Sequence, residues 1–275
     1  MLQRIFSFPV LLGAGVLFLS GAALPAHAAS SFQYNFSVDG MLNETGSMTN
    51  TTSPYWWVNS GGMLQLANGM GQTAQGDLPA SSLWRLSYAA ANPLDTDNGY
   101  HPQNLFRLVT KNSWQNASVV SKFNIVKDNT SQSPNRNASN GLLLMNRYAS
   151  DGQTLYYAGV RVDGTAVIKK KYHGTYYTMA QKQVFDGTYD RSTGSNLIPH
   201  GEWLTLKSDT VTKADGSVRI DLYLKRDTDS AWTLLLSASD DGRKYGNTPA
   251  ILSGFAGIRT DFMDVQFDSF RINSL

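Results

Sequence analysis

Short runs in which apolar and polar residues alternate follow one another along most of this chain of 275 residues. In Ser31–Val38, for example, Phe32, Tyr34 and Phe36 alternate with polar neighbours, which is the period of a half-buried β-strand. Glycine, proline, asparagine or aspartate separates most of the runs, as is usual for turns. We expect the strand at Ser31–Val38 to pair with the last strand of the chain.

The remaining runs predict further short strands, and no segment has a convincing helical pattern. Strands at this spacing predict an all-β fold, a two-sheet antiparallel jelly-roll sandwich. The principal predicted strands are Ser53–Val58, Met63–Leu66, Ser82–Tyr88, Asn104–Lys111, Ala117–Ile125, Gly141–Tyr148, Thr154–Val162, Thr165–Lys171, Tyr176–Phe185, Trp203–Thr212, Val218–Lys225, Thr233–Ala238, Ala256–Thr260 and Val265–Ile272.

One hairpin is strongly signalled by an Asp-Gly pair at positions 163–164, between two alternating runs. Such a pair predicts a two-residue turn. That register places Tyr157 opposite Lys170, on the face shared by Gly159 and Arg161. The hairpin is therefore expected to present a cationic and aromatic patch, with the glycine leaving room for a ligand near the sheet.

The first residues of the chain predict export. Arg4 precedes an apolar run, Val10–Leu24, and Ala26 and Ala28 then provide small residues at the two positions that a signal peptidase reads. We interpret residues 1–28 as a signal peptide and residues 29–275 as a single jelly-roll domain. An uncleaved membrane anchor is the alternative, for which the apolar run is short. The expected localisation is secreted or periplasmic, with no stable membrane span after cleavage of the signal.

Composition limits the chemistry. The chain has no cysteine and a formal net charge of +2. A disulfide framework, a thiolate zinc site and a cysteine nucleophile are therefore excluded. No basic tail or stripe indicates a nucleic-acid partner, and we expect a monomer. Six glycosylation sequons leave the source kingdom open, at Asn35, Asn43, Asn50, Asn116, Asn129 and Asn137.

Carboxylates and metal ligands give weak signals. Glycoside hydrolysis requires two positioned carboxylates, and the chain has only two glutamates, Glu44 and Glu202, far apart in sequence. A hydrolase is disfavoured but stays open, because aspartates could converge in the fold. No cofactor is required and no short-range histidine pair suggests zinc. A structural calcium ion is possible at Asp95 with Asp97 or at Asp261 with Asp264.

The densest chemistry lies in the nine residues from Lys169 to Tyr177, which contain three lysines, one histidine and three tyrosines. β-Elimination in a uronate polymer needs cations to neutralise the sugar carboxylate and a histidine or tyrosine to move protons. Nearby cations would have to lower the pKa of a tyrosine for it to act as a base. His173 or Tyr172, assisted by Lys170, is the predicted base or acid.

Three segments of the second half resemble concanavalin-A-like (laminin-G-like) jelly rolls. They are a strand beginning at Trp203, the Gly-x-x-Gly-Ile-Arg strand Gly254–Thr260, and the closing Phe-Asp-x-Phe strand Val265–Phe270. The resemblance implies a jelly-roll fold. Lectins, glycosidases and lyases share these motifs, so they do not specify an activity.

A narrower similarity links Tyr156–Arg161 to the concave-face strand of jelly-roll alginate lyases, which has the pattern Tyr-Phe-Lys-Ala-Gly-Val-Tyr. Tyr157 stands where those enzymes have lysine, and Arg161 where they have tyrosine. Arg107 matches the arginine of another lyase strand, and Asn146 takes the place of a histidine. The similarity implies that Arg107, Asn146 and Arg161 hold the uronate carboxylate or form sugar subsites.

The leading hypothesis is a secreted polysaccharide lyase that cleaves an acidic, uronate-containing glycan by β-elimination. A non-catalytic extracellular carbohydrate-binding protein is the first alternative, and a glycoside hydrolase on the same fold is the second. The predicted catalytic residues are His173, Tyr172, Arg161, Arg107 and Lys170. The predicted substrate-binding residues are Tyr157, Asn146, Lys169, Lys171, Tyr177 and His101, and no metal site is assigned.

Overall fold

A computed structural model describes residues 31–194 and 196–275. The predicted signal peptide at residues 1–28 lies outside them. The elements are β1 (Ser31–Tyr34), β2 (Gly40–Asn43), β3 (Trp56–Ser60), β4 (Met63–Ala67), β5 (Met70–Gln72), α1 (Leu83–Ala91), β6 (Leu105–Trp114), β7 (Ala117–Asp128), β8 (Gly141–Tyr148), β9 (Leu155–Arg161), β10 (Thr165–Tyr172), β11 (Thr175–Gln183), β12 (Leu204–Thr212), β13 (Val218–Arg226), β14 (Thr233–Asp240), β15 (Gly254–Asp261) and β16 (Met263–Ser274), with short 3₁₀ helices at Met48–Asn50 and Pro102–Asn104.

These strands form two antiparallel sheets. Within the described residues, the larger sheet has nine strands in the order β14-β13-β12-β7-β16-β5-β4-β2, with β1 also paired to β16. The smaller sheet has seven strands in the order β11-β10-β9-β8-β15-β6-β3. The predicted all-β, two-sheet antiparallel sandwich is therefore confirmed, and it agrees with the concanavalin-A-like fold that the sequence motifs indicated.

The main core lies between the two sheets and is rich in aromatic rings. Phe106 of the smaller sheet stacks on Phe267 of the larger one, with ring centroids 5.5 Å apart. Trp56 of the smaller sheet packs edge-on against Phe270 of the larger sheet, with ring centroids 4.8 Å apart. Burial of such rings, at about 25 cal/mol per Å² of apolar surface, is the main force that holds the sheets together.

The first described strand closes onto the last, as expected from the sequence. Ser31 of β1 lies opposite Asn273 of β16, and Tyr34 lies opposite Phe270.

None of the helices in the described part of the chain has the length and apolar character that crossing a membrane requires.

The strand predicted at Ser82–Tyr88 is wrong, because this segment begins helix α1. The Ser82 side chain accepts a hydrogen bond from the backbone N–H of Arg85 at 3.4 Å and so caps the helix. Trp84 and Tyr88, four residues apart, lie on one side of it with ring centroids 6.5 Å apart. A run as short as this one is compatible with the period of a strand and with that of a helix. The serine that caps the segment was the signal for a helix.

The register predicted for the β9–β10 hairpin is wrong by one residue. Val160 pairs with Ala166, so the turn has three residues instead of two. Its last residue, Gly164, has a φ of +79°, which suits a three-residue turn with a left-handed final position. Lys169, and not Lys170, therefore lies opposite Tyr157. A slip of one residue exchanges the two faces of a strand.

Candidate functional site

The outer face of the smaller sheet collects the cationic side chains of several strands. In β9, Ala158 and Val160 point into the main core, while Tyr157 belongs to a second apolar cluster on the other side of the sheet. Alternation then places Gly159 and Arg161 on this outer face, as the sequence predicted. We call the surface the basic face; it comprises Arg107, Tyr148, Tyr157, Arg161, Lys169, Lys171, Tyr176 and Arg259.

Two stacked tyrosines and an arginine form the centre of the basic face. The rings of Tyr157 and Tyr176 are nearly parallel, with an interplanar angle of 12° and centroids 6.2 Å apart. Arg259 Nη1 donates a hydrogen bond to the Tyr157 hydroxyl at 3.0 Å. Its Nε bonds Asp261 Oδ1 at 2.8 Å, which fixes the guanidinium. The Lys171 ammonium lies 5.1 Å from the centroid of the Tyr176 ring.

The two phenols differ in their ionisation. Burial raises the pKa of Tyr157, which is 3% exposed, and the nearby Arg259 charge offsets only part of this effect. Partial burial also acts to raise the pKa of Tyr176. There the charges of Arg259 and Lys171, with hydrogen bonds from Arg259 and Tyr157, outweigh burial, and the pKa lies below its ordinary value. Tyr176 is thus the more acidic phenol, and it is 49% exposed.

Arg161 and Lys169 add positive charge beside the tyrosines. Arg161 is held by Asp163 at 2.7 Å and by the Ala138 carbonyl oxygen at 2.9 Å. Burial and the charge of Arg161 lower the pKa of the Lys169 ammonium. Within residues 31–194 and 196–275, Lys169 has no carboxylate partner. This region therefore has uncompensated positive charge, which an anionic ligand would neutralise.

Arg107 extends the basic face on β6. Its Nη1 donates to Asn59 Oδ1 at 3.3 Å, and the Tyr148 hydroxyl donates to the same oxygen at 2.9 Å. The charge of Arg107 also acts on Glu44, whose carboxylate accepts a hydrogen bond from the Tyr88 hydroxyl at 2.6 Å. Burial raises the pKa of Glu44 despite these contacts. Arg107 is thus positioned by neutral side chains, and it forms no close ion pair with the residues that the structure describes.

Gly159 lies where strands β8 and β9 approach each other closely. A Cβ atom at this position would meet the carbonyl oxygen of Leu142 on the neighbouring strand β8. The glycine is therefore needed for the close approach of two strands. The prediction that it leaves room for a ligand stays untested by this geometry.

Lys170 lies on the opposite side of the sheet from the basic face. Its side chain is fully buried, and Nζ contacts Asp240 Oδ2 at 2.7 Å. The same ammonium donates to the carbonyl oxygens of Thr248 and Pro249, both at 2.9 Å. The prediction that Lys170 forms a patch with Tyr157 and Arg161 is wrong, because the hairpin turn has three residues and reverses the faces of β10.

Three further predicted residues also point away from the basic face. Asn146 is 2% exposed, and its Nδ2 donates to Ser208 Oγ of the opposite sheet at 3.1 Å. Tyr172 packs against the main core. The Tyr177 hydroxyl lies against Gly246, where a Cβ atom would collide with it. These side chains cannot contact a glycan that binds to the basic face, because the alternation of each strand directs them elsewhere.

The two candidate histidines lie in connections. His173 is exposed in the β10–β11 turn, with its ring edge-on to Tyr172 at a centroid distance of 4.4 Å. His101 is held between Asp97 and Asp77, each 2.8 Å from one ring nitrogen. Their roles in catalysis and substrate binding stay predictions.

The carboxylates considered for calcium are engaged in hydrogen bonds. Asp264 accepts from the Gly76 backbone N–H at 2.7 Å and from Gln103 and Asn129 at 2.9 Å each. Asp261 Oδ2, in contrast, is buried without a partner among the described residues. Those residues contain no group of three histidine, aspartate or glutamate side chains arranged for a metal ion. Calcium stays a prediction.

Sequence analysis missed Arg259 and did not select Tyr176. Arg259 follows Ile258, whose side chain lies in the main core, so alternation within β15 already directed it outward. Its closeness to Tyr157 depends on the sheet order, in which β15 lies next to β8 and two strands from β9. No local pattern reveals that order.

Comparisons with known proteins give distant similarities. No protein-family model matches the chain, and no curated protein matches it in sequence. Among solved structures, the chain is similar to the carbohydrate-binding module CBM66 from Bacillus subtilis, with 16% identity, a TM-score of 0.44, and coverage of 62% of this chain and 82% of the module. The GH43 protein BlXynB from Bacillus licheniformis has 12% identity and a TM-score of 0.47, over 88% of this chain but only 39% of that protein. The alginate lyase Aly36B has 8% identity and a TM-score of 0.43, over 90% and 97% of the two chains.

Proposed function

We propose that this protein binds an acidic polysaccharide on the basic face and cleaves it by β-elimination. The observation that carries the proposal is the position of Tyr176. Its half-exposed phenol lies among Arg259, Lys171 and the stacked ring of Tyr157. A phenol with cations around it is a suitable proton acceptor, and the same cations attract a sugar carboxylate.

In the proposed reaction, the Tyr176 phenolate removes the proton from the carbon next to the uronate carboxylate. The C–H electron pair forms a carbon–carbon double bond, and the bond from the adjacent carbon to the bridging oxygen breaks. The departing oxygen takes a proton, which the Tyr176 hydroxyl can return. Arg259 and Lys171 beside the phenol, with Lys169 on the neighbouring strand, neutralise the carboxylate, whose negative charge grows as the proton leaves.

Tyr157 is a positioning residue in this scheme. Its hydroxyl is bonded by Arg259, and its buried ring supports that of Tyr176. Acid–base sites typically have two neighbouring groups whose surroundings shift their pKa values in opposite directions. Tyr176 takes the role that sequence analysis gave to His173 or Tyr172.

A hydrolase receives less support from the same surface. Asp163 and Asp261, the carboxylates beside the tyrosines, are each bound to an arginine at 2.7–2.8 Å. An arginine therefore occupies each of these carboxylates. A glycosidase needs two carboxyl groups that both face the glycosidic bond, and this arrangement does not provide such a pair.

The test is incubation of the purified protein with a panel of uronate polymers, including alginate and glucuronan, followed by ultraviolet absorbance of the unsaturated product. Tyr176→Phe should lower the rate by about 100-fold or more, because a positioned proton acceptor contributes at least that much. Tyr55→Phe is the matched control, since Tyr55 is 50% exposed and Tyr176 49%. His173→Ala should keep most of the activity.

The outcomes separate the alternatives. Binding to the panel without any rise in absorbance would favour a non-catalytic carbohydrate-binding protein. Products without unsaturation would favour a hydrolase. Full activity of Tyr176→Phe together with loss in His173→Ala would return the base to the β10–β11 turn.

A further inference from the structure

The outer face of the larger sheet carries a groove of about 370 Å³. The groove is separate from the basic face, which belongs to the smaller sheet. Lys122 of β7 and Lys225 of β13 both lie beside Thr205 of β12, so the three residues form one row across three strands. Strands in a sheet are about 4.8 Å apart, which places the two lysines about 10 Å from each other. The groove is also lined by Arg271 of β16 and by Trp232, which follows β13.

An irregularity in β16 shapes one side of the groove. Pairing between β16 and β7 shifts register between Asp268 and Arg271, and Ser269 adopts a φ of +53°. Phe270 and Ile272 remain in the main core. Arg271 therefore points outward beside the irregular segment, as expected from alternation.

The charges of this groove are only partly balanced. Lys122 pairs with Asp227 at 3.0 Å, and Arg226 lies 3.7 Å from Glu202. Lys225 and Arg271 have no ion pair with any residue that the structure describes. Because no carboxylate in the described part of the chain pairs with Lys225 or Arg271, these two cations give the depression a local positive potential.

We infer that this groove is a second binding site for a saccharide that carries a carboxylate or sulfate group. Lys225 and Arg271 would bind the anionic group, and the indole of Trp232 offers an apolar surface to the C–H face of a sugar ring. A volume near 370 Å³ is in the range of small-ligand sites. Nucleic acid fits less well, because Asp227 and Glu202 interrupt the positive charge that a phosphate backbone would follow.

The inference goes beyond the proposed function, since the groove and the basic face lie on opposite outer surfaces of the sandwich. A long polymer held in the groove would stay near the basic face after each cleavage. The site would then lower the apparent KM for polymer and leave that for short oligosaccharides unchanged. Binding in the groove shares only the choice of an acidic ligand with the proposed function, whereas the effect on KM also rests on it.

The test is isothermal titration calorimetry of the full chain with oligosaccharides from alginate and glucuronan and with sulfated dextran. Lys225→Gln/Arg271→Gln removes both free cations, and Lys213→Gln/Lys244→Gln removes two exposed lysines elsewhere as a matched control. We expect wild type and the control to bind at two sites. The groove variant should lose one of them, with at least a 10-fold weaker constant.

A second variant, Arg107→Gln/Lys169→Gln, separates this inference from the proposed function. Loss of one site in this variant and of the other in the groove variant supports both. Two unchanged sites in the groove variant overturn the inference but not the proposed function. Groove-dependent binding of single-stranded DNA without any saccharide binding overturns it in favour of nucleic acid, and a wild type with no groove-dependent site for any probe overturns it as well.

Discussion

The rings of Tyr157 and Tyr176 lie in parallel planes only 6.2 Å apart between centroids, yet the pKa values of the two phenols shift in opposite directions. The difference follows from how deeply each phenol is buried. Burial dominates the pKa of Tyr157, whereas Tyr176 is half-exposed and the charges of Arg259 and Lys171 dominate its pKa. One stack of rings thus provides a phenol that stays protonated and another that ionises early.

Titration of the phenols by ultraviolet absorbance should show one tyrosine that ionises below the ordinary pKa of about 10. Because the folded pKa of Tyr176 is lowered, its ionisation stabilises the fold above pH 10 and the contribution is lost as pH falls through the folded pKa. Tyr176→Phe should remove the early component. Persistence of that component in Tyr176→Phe would assign the low pKa to another residue. The control variant Tyr55→Phe should keep the early component.

Arg259→Met should lower the free energy of unfolding by about 3 kcal/mol. The substitution leaves the Asp261 side chain, which is 3% exposed, as an unpaired buried carboxylate. The double variant Arg259→Met/Asp261→Asn should recover part of this loss, because no buried charge remains. Urea denaturation measures both values. The double variant should still lack the early phenol ionisation, which separates the electrostatic role of Arg259 from its structural one.

Lys170→Met should destabilise the protein by about 3 kcal/mol or more, whereas Lys169→Met should change stability by less than about 1 kcal/mol. The first removes the ion-pair partner of Asp240 at a site where both side chains are 0% exposed, and leaves that carboxylate only its hydrogen bonds from Tyr156 and Gly242. The second removes a cation on the basic face that lacks a carboxylate partner among the described residues. Equal losses in the two variants would contradict the assignment of these adjacent lysines to opposite faces.

Gly164→Ala should destabilise the protein more than Gly216→Ala. Both glycines have a φ of +79°, where an alanine costs about 1 kcal/mol of backbone strain. Around Gly216 nothing lies within 4 Å of an added Cβ, but at Gly164 it would collide with the Phe185 carbonyl oxygen. Denaturant midpoints of the two variants check the order, and a larger loss at Gly216 would argue against the three-residue turn.

Alternation of apolar and polar residues was sufficient to predict the sandwich and the outward face of Tyr157 and Arg161. It was not sufficient for Lys170, because an Asp-Gly pair fits turns of two or three residues and the sequence does not distinguish them. Arg259 was missed for another reason. Its contact with Tyr157 spans about a hundred residues, and only the order of strands in the sheet brings the two together.

The positions of the last two strands have a consequence for how the molecule forms. β15 lies between β8 and β6 in the smaller sheet, and β16 lies between β7 and β5 in the larger one. Neither sheet can close before residues 254–274 have been inserted at its middle. Such non-local pairing slows folding to milliseconds or seconds. During synthesis the earlier strands must wait with unpaired edges, so the newly made chain passes through a stage in which association with other chains competes with completion of the fold.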